Sequence, residues 1–171
     1  MGHSMGGAIA QAMALKRPDR VLGLVLAGTG AQLPVNPLLI ANLESHPEVA
    51  LKQIMQWSLT KEAPSDLVSK SLMQALAYDP RRAVREFMAC QTFDMRPYLA
   101  QIRVPKALIA ADHDRMTPIS RFKDFQGAWP NTPLYTVKSA GHLMMLEQPD
   151  QFNAILTTIR SRREFGSEST I

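Results

Sequence analysis

The sequence predicts an α/β fold: a parallel sheet with flanking helices, into which a block of further helices is inserted. Three observations carry that reading. Apolar runs at 21–27, 106–111 and 134–138 alternate with helical segments, the rhythm of a parallel sheet with crossover connections. Between the first two runs, residues 36–93 read as helix, punctuated by Pro37, Pro47, Pro64 and Pro80. The 171 residues are 46% apolar and 20% charged, which suits one globular domain.

Taken in order, the stretch after Ser4 to residue 16 is small, apolar and rich in helix formers, and predicts a buried helix that Pro18-Asp19 ends. The continuous apolar run 21–27, closed by Gly28-Thr29-Gly30, predicts a strand buried on both faces. The prolines of 36–93 sit near helix starts, where a missing N–H is tolerated. They set helices at 37–44, 47–59, 65–78 and 80–90. A short helix or turn follows at 94–102, then a strand at 106–111, a helix at 119–129, a strand at 134–138 and a helix at 148–163. The organisation is therefore core (1–35), helical insertion (36–93), core (94–163) and flexible tail (164–171). An insertion between two strands of one sheet belongs over the sheet's C-terminal edge, where open α/β sheets bind ligands.

Composition excludes several classes. Cys90 is the only cysteine, so the chain has no internal disulfide and no Cys-based zinc site, in keeping with a cytoplasmic setting. The longest apolar run, 21–30, is too short to span a bilayer, so no membrane partner is expected. The formal charge is +4, but the basic residues are scattered apart from Arg81, Arg82, Arg85 and Arg160, Arg162, Arg163. No nucleic-acid module accompanies them, and no nucleic-acid partner is expected.

Gly2-His3-Ser4-Met5-Gly6 matches the G-x-S-x-G nucleophile elbow. Such a serine sits on a strained strand-to-helix turn. Flanking glycines let backbone and helix approach, and the helix N-terminus favours negative charge at the serine. The serine needs a base. Of the four histidines, His3 belongs to the elbow, His46 to a helix–helix connection and His113 to a loop. His142 follows the last strand directly, at the edge where a base should face the nucleophile. The base in turn needs an acid to fix its tautomer, and both Asp112 and Asp114 follow the strand 106–111.

These residues resemble the α/β-hydrolase superfamily. Residues 2–7 look like its elbow, residues 18–26 like the helix exit and next strand, and residues 141–149 like its histidine loop. Residues 111–118 resemble its G-x-x-D-x-x-x-P acid loop, with Ala111 in place of the usual glycine, which puts the acid on Asp114. The resemblance implies a Ser4–Asp114–His142 triad, an oxyanion donor in the backbone N–H of Met5, no metal or organic cofactor, and a cap domain in 36–93. A serine at the elbow argues against the dehalogenase and epoxide-hydrolase members, which use aspartate there.

The family places five strands and their helices before the elbow. The resemblance therefore implies that roughly 90–110 residues are absent. Only the last three strands, the cap and flanking helices are then expected, with the strand at 21–27 left as an unpaired, aggregation-prone edge and one oxyanion donor missing. The chain alone is expected to be poorly folded or nearly inactive unless an N-terminal segment or complementing chain completes it. The expected reaction is hydrolysis of a carboxylic ester through an acyl-enzyme, on an uncharged acyl or aryl ester given the apolar insertion. Thioesterase, lactonase, C–C hydrolase and acyltransferase chemistry use the same triad. The rival from another class is a non-catalytic fragment that binds through its cap.

Overall fold

A computed structural model describes residues 1–162 and 165, so the expected tail lies, apart from Phe165, outside the described residues. The sheet holds four parallel strands in sequence order: β1 (Gly2–His3), β2 (Leu24–Ala27), β3 (Lys106–Ala111) and β4 (Leu134–Val137). Three strands were expected, with the one leading into Ser4 absent. Its last two residues are in fact present: Gly2 pairs with Leu26 and His3 with Ala27, so the outer edge of β2 is covered at its C-terminal half.

Strand β2 begins three residues later than its apolar run. A 3-10 turn, Pro18–Arg20, precedes it and leaves Leu22 93% exposed. Within the sheet, alternate residues face opposite sides. Leu24, Leu26, Leu108 and Ala110 pack on one face with Phe122, Phe125 and Trp129. Ala27, Ala107, Ile109, Ala111 and Val137 pack on the other with Met144, Phe152 and Ile159, and Phe165 joins them. Both faces being covered explains why these strands read as continuous apolar runs. Each large side chain fully buried here contributes about 1.5–3 kcal/mol.

Helix α1 (Met5–Lys16) leaves the elbow directly. It buries Gly7, Ala8, Gln11 and Ala14 along one face, whereas Ile9 and Met13 are exposed, so it is half-buried rather than enclosed. The inserted block is four helices: α2 (Pro37–Ser45), α3 (Pro47–Ser58), α4 (Ser65–Leu76) and α5 (Pro80–Thr92). Prolines stand in the first turns of α2, α3 and α5. Asn36 and Asp79 cap α2 and α5 by accepting from Leu38 N and Arg81 N, each at 3.0 Å. The block has its own core around Leu43, Ala50, Leu51, Ile54 and Ala83, and Met116 from the loop after β3 packs into it.

The rest of the core differs from expectation in its helices, and β4 ends at Val137 rather than at residue 138. The segment 119–129 divides into a 3-10 turn (Ile119–Phe122) and α6 (Lys123–Ala128). The expected final helix is α8 (Pro149–Arg160), and a short α7 (Met144–Glu147) that the sequence did not predict stands before it. Pro149 cannot donate into the turn before it, which starts a new helix there.

Candidate active site

Ser4 lies between β1 and α1 with φ 52° and ψ −122°, a left-handed conformation rarely held by a residue with a Cβ. The surroundings over-determine it. Ser4 N donates to Ala27 O (3.0 Å), and Ser4 O accepts from Gly7 N (2.8 Å) and from Thr29 Oγ1 (2.8 Å). A Cβ on Gly2 would strike the backbone of Gly6 and lie 2.7 Å from Gly7 N, so only glycine fits at that position. Gly6 meets nothing within 4 Å, whereas a Cβ on Gly7 would lie 2.6 Å from the Thr29 side chain. Within the helix a missing Cβ is thus required at Gly7, against Thr29, and not at Gly6. Met5 is the first residue of α1, so its N–H has no acceptor within the helix and stays available beside Ser4.

Asp114 and His142 come from the loops after β3 and β4 and are each 4% exposed. His142 Nδ1 donates to Asp114 Oδ2 at 2.9 Å. The other Asp114 oxygen accepts from Met116 N (2.9 Å) and Thr117 N (2.8 Å). Thr117 Oγ1 donates to Oδ2 at 2.7 Å and lies 3.2 Å from His142 Nδ1. Burial alone pushes the Asp114 carboxyl up, but His142 and Thr117 together outweigh it and hold the carboxyl below its ordinary range. With its proton on Nδ1, the ring keeps Nε2 bare as an acceptor. Among the described residues Ser4 Oγ makes no hydrogen bond to that nitrogen, a link that often tightens only with substrate bound. Asp112 serves a different end: its Oδ1 accepts from Ala140 N at 3.3 Å and braces the two loops. His46 and His113 are exposed.

The loop that carries His142 is held from three sides. His3 Nε2 donates to His142 O at 2.8 Å, with the two rings 4.6 Å apart. Leu143 N donates to Ser58 O at 3.0 Å. Glu147 accepts from Gly141 N (2.7 Å) through one oxygen, and from Thr60 N (2.8 Å) and Thr60 Oγ1 (2.5 Å) through the other. Glu147 ends α7 and ties the His142 loop to the helical block. Its signal is long-range, since Thr60 is remote in sequence. Thr117 was likewise missed, though its place three residues after Asp114 is the spacing of a side chain that reaches back to its own loop.

Glu147→Ala leaves Gly141 N–H without its acceptor, and is expected to cost about 2–3 kcal/mol in urea unfolding. His3 gives a pH signature. Burial, and then the proximity of His142, lower its pKa from 6.5 to about 4. A histidine depressed in the fold contributes stability that is complete above its unfolded pKa, and loses it as the unfolded chain protonates first. Unfolding free energy is therefore expected to fall by about 2–3 kcal/mol between pH 7 and pH 4. His3→Gln, which retains a donor but does not titrate, should flatten that profile in urea melts at several pH values.

A cavity of about 180 Å³ opens on Ser4. Leu33, Val35 and Leu39, with Trp57 and Phe87 of the helical block, form its apolar walls. Cys90 also lines it, and burial raises its thiol pKa, so it presents a neutral thiol. Among the described residues no group of three or more His, Cys, Asp or Glu side chains could hold a metal, and no helix is long and apolar enough to cross a membrane.

Comparison with known proteins identifies the family and the fold. The family model described as "Alpha/beta hydrolase family" matches residues 1–155. The chain is 26% identical over 170 residues to 3-oxoadipate enol-lactonase 2 of Acinetobacter baylyi, covering 94% of this chain and 62% of the lactonase. It is 28% identical over 166 residues to the polyketide synthase ThaQ of Burkholderia thailandensis, covering 89% of this chain and 8% of the synthase. A solved thermophilic esterase superposes with a TM-score of 0.82 at 30% identity, over 93% of this chain and 64% of the esterase. The chain thus spans less than two thirds of the length of these relatives. With the family model matching most of its length, the chain belongs to the alpha/beta hydrolase family.

Proposed function

We propose that the protein is a serine hydrolase of carboxylic esters in which Ser4 is the nucleophile, His142 the general base and Asp114 the acid that orients it. The observation that carries this reading is the buried 2.9 Å His142–Asp114 pair at the same sheet edge as the strained Ser4 turn. His142 Nε2 takes the Ser4 proton as Oγ bonds to the ester carbonyl carbon. The carbonyl oxygen, now an oxyanion, accepts from Met5 N–H. Collapse breaks the C–O bond to the alcohol, which leaves with the proton held by His142. Water then repeats both steps on the acyl-enzyme and releases the acid. The sequence of steps uses no metal or organic cofactor, and a lactone would open by the same route. The single cysteine supports a cytoplasmic setting.

In this reading helices α2–α5 act as a cap over the nucleophile, supported by Trp57 and Phe87 in the cavity wall. A second oxyanion donor, and a strand against the free edge of β1, come from chain outside these 171 residues, in cis or as a separate polypeptide. Its support is that β1 pairs only with β2 among the described residues.

A fluorophosphonate probe and p-nitrophenyl butyrate test both halves. Phosphonylation mapped to Ser4, with ester turnover that rises when the missing segment is supplied, is the expected result. A stable, monodisperse chain that never labels would leave the non-catalytic reading standing. Strong turnover by the 171-residue chain alone would overturn the need for completion.

A further inference from the structure

The cavity on Ser4 is not wholly apolar. Two guanidinium groups line it, Arg115 and Arg121, and no Asp or Glu does. The two are in different states. Arg115 is committed to structure: its Nη2 donates to Leu59 O at 3.2 Å and to Gln56 O, closing the C-terminal end of α3 onto the acid loop. The exposed Arg121 guanidinium has no hydrogen bond or ion pair with any described residue, whereas its backbone N–H donates to Pro118 O at 2.8 Å. Its stem is nonetheless fixed in place. It stands in the 3-10 turn Ile119–Phe122, next to fully buried Phe122. Its Cβ lies 3.5 Å from where a Cβ on Gly30 would be. Gly30 is itself held, since its carbonyl accepts from the buried Gln11 amide at 3.1 Å.

A permanently charged fork, on a rooted stem, opens into a cavity with apolar walls and no counter-charge. The one acidic group of the site, Asp114, is saturated by His142, Thr117 and Met116 and cannot serve Arg121. The guanidinium presents parallel N–H donors that match a carboxylate. Asn36 and Gln32 line the same cavity, and the Asn36 amide N–H2 is free because only its oxygen caps α2.

We propose that Arg121 forms an anion subsite and that the preferred substrates are esters or lactones carrying a second, ionised carboxylate, so that the acid product is a dicarboxylate. This rests on Ser4 as the nucleophile and replaces the uncharged ester that the apolar insertion suggested. Leu33, Val35 and Trp57 then line the methylene chain between the scissile carbonyl and the anchored carboxylate. Arg121 is a specificity residue: it takes no part in the bond changes at Ser4.

The experiment compares p-nitrophenyl hemiesters of succinate, glutarate, adipate and suberate with uncharged p-nitrophenyl esters of the same chain length, in the wild type, Arg121→Met and Arg121→Lys. The expected result is a wild-type preference for at least one hemiester. Arg121→Met lowers kcat/KM for that hemiester by about 10- to 100-fold, mostly through KM, and changes the uncharged ester less than about threefold. Arg121→Lys keeps part of the preference, and added salt erodes it. Titration of Ser4→Ala with free glutarate and adipate, followed by Trp57 fluorescence, reads the subsite without any turnover. Saturable quenching that Arg121→Met abolishes supports the proposal even in a preparation that hydrolyses nothing. Equal loss on charged and uncharged esters, or dicarboxylate binding that Arg121→Met leaves intact, overturns it. Absence of Ser4-dependent turnover on every ester, with dicarboxylate binding intact, counts against the hydrolase reading alone.

Discussion

Ser4→Ala is expected to lower kcat for a p-nitrophenyl ester by about 10⁶-fold while moving the unfolding free energy by less than about 0.5 kcal/mol. The two halves of that expectation have separate causes. Among the described residues the Ser4 hydroxyl makes no hydrogen bond, so its removal leaves no orphaned partner. The contacts that hold the turn are backbone ones, from Ser4 N to Ala27 O and from Thr29 Oγ1 to Ser4 O, and alanine keeps both. His142→Ala should match Ser4→Ala in activity but not in stability. It leaves the Asp114 carboxylate buried without its ring partner, at a cost of about 3–5 kcal/mol. Groups that act as one unit are not additive, so the double variant should be no slower than either single one. Steady-state kinetics and urea melts on the three variants check this. Residual turnover in Ser4→Ala above about a hundredth of wild type would remove Ser4 from the mechanism.

The second large effect belongs to Asp114, the acid of the proposed triad. Asp114→Asn is expected to reduce kcat by about 10⁴-fold with little change in KM. An amide at this position presents either N–H2 or a neutral oxygen to His142 Nδ1. The first forces the ring proton onto Nε2, where it blocks the serine, and the second stabilises the imidazolium poorly. Asp112→Asn is the control, because Asp112 only braces Ala140 N at 3.3 Å, and its activity should stay within a few-fold of wild type. Stability gives an independent reading. The Asp114 carboxyl is depressed in the fold, so its contribution is complete above the unfolded value of about 3.9 and fades as pH falls through the lower folded value. Asp114→Asn should therefore be less acid-labile than wild type below about pH 4. Equal damage from the Asp112 and Asp114 variants would return the choice between them to open ground.

That choice shows where the sequence ran out. Two aspartates two residues apart are indistinguishable by composition, and only the resemblance of 111–118 to a family loop separated them. The folded loop separates them physically: Met116 N, Thr117 N and Thr117 Oγ1 converge on Asp114, and the turn that allows it points Asp112 toward Ala140. Ser4 and His142 could be singled out for the proposed site because local chemistry marks them. A serine between glycines at a strand-to-helix turn and a histidine just past a strand each have a recognisable neighbourhood.

By itself, then, the sequence determined the α/β architecture, the order of its parts and the helices of the insertion, because periodicity and proline placement act over a few residues. Strand β3 was read to its ends, since every residue of Lys106–Ala111 is needed by one face or the other. Strand β1 was missed, because two residues carry no periodic signal and acquire their identity only by pairing with Leu26 and Ala27. The contacts of Glu147, Thr60 and Ser58 with the His142 loop, and the place of Arg121 in the wall of the cavity that Ser4 lines, were visible only in the tertiary structure. Their roles depend on which distant segments the fold brings within hydrogen-bonding reach. No spacing along the chain encodes that, whereas the packing of the helical block against the two loops does.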